Sequence, residues 1–300
     1  MRIAIVGDVH LMEKPPRHRK DDFLTAALDK LEYIASMNDK VIILGDLFHT
    51  SNNSSYLFNR VFASLNKFPN KFLAIPGNHD IFHNNMNSLD RTTLGSLVQT
   101  GVIDLKTSGF DIDGTHFEVS MVMKDIEKIP VDENNTNILL GHNYFDMEEF
   151  APKETFTREE LAKLNYNIVF LGHDHKPHEE EFIENSILIR MGSLTRIDNQ
   201  DYNESRPIQY YRYDTSTNTY QTLKVPYRAS EDVFLEGSFV KQGKKKDMFS
   251  FATLSKVLDN FDNQNKVKNS LHKTLVKQGT PRESIDFIQD LYKEENVTYN

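Results

Sequence analysis

Short, wholly apolar runs alternate with amphipathic stretches along most of the chain. The runs are Ile3–Val6, Val41–Leu44, Phe72–Ile75, Ile138–Leu140 and Ile168–Leu171, each stopped at once by Gly or Pro-Gly. Continuous runs of this kind predict strands buried on both faces. Between the first two, Phe23–Met37 sets Phe23, Ala27, Leu28, Leu31, Ile34 and Ala35 along one helical face. That is a helix returning the chain to a neighbouring strand, a βαβ unit. Tyr56–Leu65 and Leu161–Leu164 predict further crossover helices. From about Ile187 the pattern turns to strands: ILIRMGS, then IQYYRYD and TYQTLKVPY around the turn-rich TSTN. An α/β domain with a later antiparallel part is expected.

The remainder reads differently. Val233–Val240 is expected to be one more strand and KQGKKKD, at 241–247, a basic linker. Three candidate helices follow near Phe249–Phe261, Val267–Val276 and Pro281–Tyr292, with Gly279 placed to stop the second and Pro281 to start the third. The expected division is a main domain over 1–225 and an extension over 226–300. A length of 300 residues and 38% hydrophobic content suit either one large domain or a medium domain with an appendage. No apolar run approaches the ~18 residues of a membrane span, and the run in MRIAIVGD is too short for a signal peptide. Cys is absent, which excludes disulfides and thiolate metal sites. With a net charge of −9, a polyanionic partner could be held only by local basic patches or by bound metal.

In open α/β sheets function collects at the carboxyl ends of the strands. There the chain places Gly7-Asp8-Val9-His10, Gly45-Asp46-Leu47-Phe48-His49, Gly77-Asn78-His79-Asp80, Gly141-His142 and Gly172-His173-Asp174-His175. One such Asp is an ordinary turn or cap residue, and one such His is an ordinary core or surface residue. Repetition at every predicted buried strand changes the reading, because six of the eleven histidines lie there. Neither a Ser or Cys nucleophile arrangement nor a Gly-rich phosphate loop accompanies them. Oxygen and imidazole donors without thiolate suit Mn²⁺, Fe²⁺ or Zn²⁺ in a hydrolytic site. Two ions about 3.5–4 Å apart need one bridging carboxylate, and Asp46 is the natural bridge. Alternation along extended backbone would put Asp8 and His10 on one side, and His173 and His175 likewise. Two such ions against two carboxylates leave a positive field that attracts phosphate. A water between them becomes the nucleophile.

D-x-H, G-D-x-x-H, G-N-H-D, G-H and G-H-x-H, in this order, resemble the calcineurin-like metallophosphoesterases. The resemblance implies a four-layer α-β-β-α sandwich with a small C-terminal α+β or helical extension. It implies that Asp8, His10, Asp46 and His175 hold one metal ion and that Asp46, Asn78, His142 and His173 hold the other. His79 would face the scissile phosphate as general acid or transition-state donor, with Asp80 orienting its ring. The second motif lacks the Arg of the protein-phosphatase branch, and the third ends in Asp80 rather than Glu. GDLFH instead resembles the SbcD-type double-strand-break nucleases, the meiotic-recombination-eleven family. RKDDFLTAALDKL, FLAIPGNHD, YNIVFLGHDHKPHE and ILIRMGSLTRID with DY beyond it agree, so the likeness covers roughly 1–225.

That family membership would make the chain an exonuclease, with or without endonuclease activity, acting on DNA ends with two divalent ions. Mn²⁺ is the first choice, with Mg²⁺, Fe²⁺ and Zn²⁺ as alternatives. His49 would position or stabilise the substrate phosphate. An SbcC-type coiled-coil ATPase and a second copy of the chain would be partners, in the cytoplasm, without membrane. The family's larger cap and ATPase-docking helices have only about 75 residues here, which would be a reduced cap, a partner-binding element, or both. The compact chain suits a bacteriophage version acting in host cytoplasm. Candidates for DNA-backbone contact are Lys14, Arg17, Arg19 and Lys20 after His10, with Lys244–Lys246 and Arg196. A small-molecule or nucleotide phosphodiesterase and a DNA-end tethering subunit with little catalysis are the alternative readings.

Overall fold

The computed structural model describes residues 1–121, 136–147, 154–164 and 166–239. The expected helices beyond 249, the basic 241–247 segment with Lys244–Lys246, and the extension past 239 lie outside the described residues. The chain divides into two units, Met1–Lys241 and Gln242–Asn300, and everything below concerns the first.

Two six-stranded sheets form its centre. The strands, in chain order, are β1 (Arg2–Val6), β2 (Lys40–Leu44), β3 (Phe72–Ile75), β4 (Ile103–Leu105), β5 (Phe110–Ile112), β6 (Thr115–Ser120) and β7 (Thr136–Gly141). They continue with β8 (Tyr144–Phe145), β9 (Thr155–Phe156), β10 (Ile168–Leu171), β11 (Glu181–Ile183), β12 (Ser186–Arg190), β13 (Gln209–Asp214) and β14 (Thr219–Lys224). The first sheet runs β14-β13-β1-β2-β3-β4 and the second β11-β12-β10-β7-β6-β5, while β8 and β9 pair alone. The helices are α1 (Phe23–Met37), α2 (Ser55–Leu65), α3 (Thr93–Gln99), α4 (Arg158–Leu164), α5 (Tyr202–Ser205) and α6 (Ser230–Val233).

Each buried strand divides its side chains between two cores. Ile3, Ile5, Ile42 and Leu44 face Phe117, Ile138, Leu140 and Phe170 across the gap between the sheets. Ala4, Val6, Val41 and Ile43 face outward against Leu28, Leu31, Ile34, Leu57 and Leu97 of α1–α3. On the far side, Leu139, Val169 and Leu188 pack on Leu161 of α4. This is the expected α-β-β-α layering. Each fully buried Leu, Ile or Phe contributes about 1.5–3 kcal/mol, so burial between layers holds the strands together. Helix starts are set locally: Asp22 accepts a hydrogen bond from Thr25 N at 3.1 Å and Ser54 one from Leu57 N at 3.2 Å.

Three features depart from the sequence expectation. The strands near the end form no part of their own: β13 pairs antiparallel with β1, extending the first sheet. Tyr210 enters the outer core while Tyr211 and Tyr213 enter the inter-sheet core, so this strand is buried on both faces. The β5–β6 hairpin had a local signal, Asp113-Gly114, both at positive φ (48° and 77°) as a tight hairpin turn requires. Val233 ends the short α6 instead of opening a strand, and Phe234 makes only an isolated bridge to Arg19. Residues 226–239 fall within the first unit, held there by contacts such as Lys20 N to Val233 O at 2.9 Å.

Candidate active site

The loops after β1, β2, β3, β7 and β10 meet at one end of the sandwich. Two glycines permit the approach. A Cβ on Gly77 would stand 2.1 Å from Asp46 Oδ1, and one on Gly45, at φ +79°, 2.4 Å from His142 Nδ1. Only a residue without a side chain fits such contacts. His142 ties the two sheets together, its Nδ1 donating to Leu44 O at 2.7 Å.

All seven predicted ligands converge. His10 Nε2 lies 3.9 Å from Asp8 Oδ1, 3.5 Å from Asp46 Oδ2 and 2.8 Å from His175 Nε2. His142 Nε2 lies 3.4 Å from Asp46 Oδ2, 3.1 Å from Asn78 Oδ1 and 3.1 Å from His173 Nδ1. Asp8–His10–His175 and Asp46–His142–His173 are thus two donor groups, with Asp46 Oδ2 within reach of both. They do not converge by strand alternation, however. His10, Asp46 and His173 adopt left-handed backbone, with φ of 52°, 49° and 81°. Non-glycine residues pay conformational strain there, and it concentrates where surrounding structure demands an unusual side-chain direction.

Electrostatics fits a cation-binding site. Asp8, His10, Asp46 and His142 are wholly buried. Burial works to raise Asp46, but the charge of the adjoining His142 ring prevails and holds its carboxyl well below the usual range. Against its own burial, His142 is pushed up to about 10 by Asp46. Burial raises Asp8, lowers His10 well below its ordinary value, and together with His142 lowers His173 to about 3. His10 and His173 thus present neutral imidazoles, as coordination needs, whereas the proton that Asp46 holds on His142 is one that metal binding would displace. Asp46 Oδ2 and His173 Nε2 are buried without a hydrogen bond. These donor atoms fit two divalent ions held by oxygen and imidazole.

Next to the first group stand His49 and His79, rings 5.4 Å apart and inclined by 22°. His79 Nδ1 donates to His49 O at 2.7 Å and His79 N to Asp46 Oδ1 at 2.9 Å. The His49 carbonyl therefore orients the His79 ring, a part expected of Asp80. Asp80 is turned away and accepts from Gly77 N, Leu47 N and Phe48 N at 3.1, 3.3 and 3.0 Å. Burial, then Asp46, raises its carboxyl to about 7. Its structural effect is to clamp the β2 and β3 loops together.

The basic residues stand elsewhere. Arg19 is buried, bidentate on Asp21 at 2.8 and 2.7 Å. Arg196 is buried and donates to Ser230 Oγ and Arg228 O at 2.6 and 2.7 Å. Arg17, Lys14 and Lys20 are exposed in the loop after His10. None of the five lines the cavity over the donor groups, which measures about 330 Å³. Its walls include residues that sequence reasoning passed over, Tyr144, Asp198 and Tyr202. The Tyr144 ring packs 3.9 Å from that of His173. Glu154 Oε2 sits 3.6 Å from His173 Nε2, brought there by the pairing of β8 with β9. Tyr144 lies two residues beyond His142 and Tyr202 within the DY already noted, whereas Glu154 carries no local signal.

Residues 1–177 match the calcineurin-like phosphoesterases. No curated protein matches the chain in sequence. Similar solved structures include an archaeal phosphodiesterase, 16% identical over 75% of this chain and 100% of its own, with TM-score 0.42. Another is a hypothetical protein of Pyrococcus horikoshii OT3, 15% identical over 76% of this chain and 88% of its own, with TM-score 0.39. With the family match spanning more than half its length, the chain belongs to the calcineurin-like phosphoesterases, two-metal hydrolases of phosphoesters.

Proposed function

We propose that this chain is the nuclease subunit of a DNA-end-processing system, an SbcD-type phosphodiesterase with exonuclease and also endonuclease activity. The observation that carries the reading is the His49–His79 pair beside Asp46. It supplies two imidazoles beyond the seven expected ligands, on the G-D-L-F-H and G-N-H-D loops whose sequence resembles that branch.

Asp8, His10, Asp46 and His175 would hold one ion, and Asp46, Asn78, His142 and His173 the other, with Mn²⁺ the first choice. When bound, the two ions polarise the phosphodiester and lower the pKa of an attacking water. His79 commits Nδ1–H to the His49 carbonyl, so Nε2, in the imidazolium form, is the nitrogen that gives a proton to the leaving oxygen, leaving the Nδ1–H neutral ring. His49 steadies a non-bridging phosphate oxygen. Tyr144 and Tyr202 offer ring faces to the bases, and such stacking is worth about 1–3 kcal/mol per base. An SbcC-type ATPase and a second copy of this chain are the partners this reading implies.

The test is cleavage of end-labelled linear duplex DNA in Mn²⁺, with a covalently closed circle as control. Wild type degrades the linear substrate, and His79→Ala, still folded by circular dichroism, loses about 10²–10⁴ in rate. Hydrolysis of a model phosphodiester with no attack on DNA, alone or with an ATPase partner, overturns the nuclease reading in favour of a small substrate. Tight DNA binding without cleavage in any divalent ion would favour a tethering subunit.

A further inference from the structure

A second cavity, of about 470 Å³, lies between α1 and the 226–233 segment and shares no lining residue with the first. Four cationic side chains, Arg19, Lys30, Arg196 and Arg228, line it against two acidic ones, Asp21 and Asp29. In a chain of net charge −9 such a surplus is local and built.

The charges are unequally compensated. Arg19 is neutralised by Asp21. Arg196 is 4% exposed, yet its polar contacts are a hydroxyl and a carbonyl, and it has no carboxylate ion pair among the described residues. Lys30 Nζ donates to Ala26 O at 2.9 Å and likewise has no carboxylate ion pair. Burial, then Arg19 and Arg196, lowers its ammonium to about 8. Their counter-charges, Asp21 and Asp29 for Lys30 and Asp21 and Glu231 for Arg196, stand beyond ion-pair distance, so an anion in the cavity would supply the closer interaction that buried charge requires. The guanidinium groups are also held against aromatic rings: Phe234 lies 5.1 Å from the Arg19 guanidinium and 5.3 Å from that of Arg196, and Tyr227 lies 5.3 Å from Arg196. Rigid, preorganised guanidinium is the usual receptor for phosphate. The walls also carry Tyr33 and Tyr227, with 38% and 42% of their surface exposed.

We infer that this cavity binds an organic phosphate monoester of nucleoside-monophosphate size, its phosphate on Lys30 and Arg196 and its ring against Tyr227. The two unpaired cations are the receptor for the charge, and the exposed tyrosine face is the receptor for the base. Because the cavity is separate from the His/Asp donor groups, occupancy does not depend on bound metal.

Calorimetric titration of the EDTA-treated full chain with deoxyadenosine monophosphate tests this, with inorganic phosphate and deoxyadenosine as partial probes. The expected result is one equivalent bound, more tightly than either partial probe. Lys30→Met and Tyr227→Ala each weaken it at least about tenfold, and His79→Ala leaves it unchanged. Tyr227 is exposed enough that its variant keeps the fold, which a thermal melt verifies. Absence of binding overturns the inference, as does affinity no greater than that for inorganic phosphate. So does loss of binding in His79→Ala but not in Lys30→Met, since the probe would then sit among the donor groups.

Discussion

At the scale of single residues, the site depends on atoms that come closer than ordinary side chains allow. Gly77 is the sharpest case, because its Cα faces both the carboxylate and the backbone nitrogen of Asp46. Gly77→Ala would drive Asp46 away from the point between His10 and His142. The expected outcome is loss of one of two bound Mn²⁺ equivalents and at least about a hundredfold loss of phosphodiesterase activity, with little change in secondary structure. Metal counting on the purified variant checks it, and two retained equivalents with normal activity would refute the role of Asp46 as shared ligand. The convergence of the seven expected ligands was legible in sequence because each follows a run of buried residues. The duty of Asp80 was not: whether a carboxylate bonds the ring beside it or an amide of its own loop and two of the β2 loop depends on where those loops fold.

At the scale of elements, the loop after β12 holds the site from behind. Ser193 N donates to His175 O at 3.0 Å and Leu194 N to Asp8 O at 2.8 Å. Arg206 in turn holds that loop: its buried guanidinium donates to Ser193 O, Ser193 Oγ, Thr195 O and Asn203 Oδ1. Arg206→Met leaves Ser193 O and Asn203 Oδ1 buried without this donor, at about 1–3 kcal/mol per group, while Ser193 Oγ and Thr195 O keep their mutual bond. We expect a loss of about 3 kcal/mol or more in urea unfolding, with weaker metal binding because Asp8 and His175 lose their backing. A stability within about 0.5 kcal/mol of wild type, the range of neutral surface changes, would show that the strap is not needed. The β8–β9 pair acts similarly on Glu154. Two residues per strand leave no periodicity to read, so its delivery of a carboxylate to His173 had no sequence signature.

At the scale of the whole molecule, two sheets present their carboxyl ends to the same point, and buried charge collects there. Divalent ions that bind only this folded arrangement stabilise it by about 2.7 kcal/mol at a hundred times the dissociation constant. For a unit of this size that corresponds to roughly 5–10 °C in melting temperature. Chelation should lower the melting temperature by that amount and Mn²⁺ should restore it, whereas Asp46→Ala should be insensitive to both. An unchanged melting temperature on chelation of wild type would mean that the donor groups hold no ion. Among the described residues no helix is long and apolar enough to cross a membrane.

What the sequence determined by itself is what local pattern encodes. Runs such as Phe72–Ile75 and Ile168–Leu171 became strands over the same residues, and Phe23–Met37 became α1 without a shift. Apolar periodicity and chain-breaking glycines act within a few residues, so they survive reading in one dimension. The order of Asp, Asn and His after those runs likewise marked the donor set. The tertiary structure decided what depends on partners far along the chain. It set β13 against β1, turned His10, Asp46 and His173 into left-handed backbone, and gave His79 the carbonyl of His49. It also turned Arg19 and Arg196 from expected DNA contacts toward a separate cavity, because guanidinium groups go where acceptors and aromatic faces are fixed. Those positions are set only when the layers close.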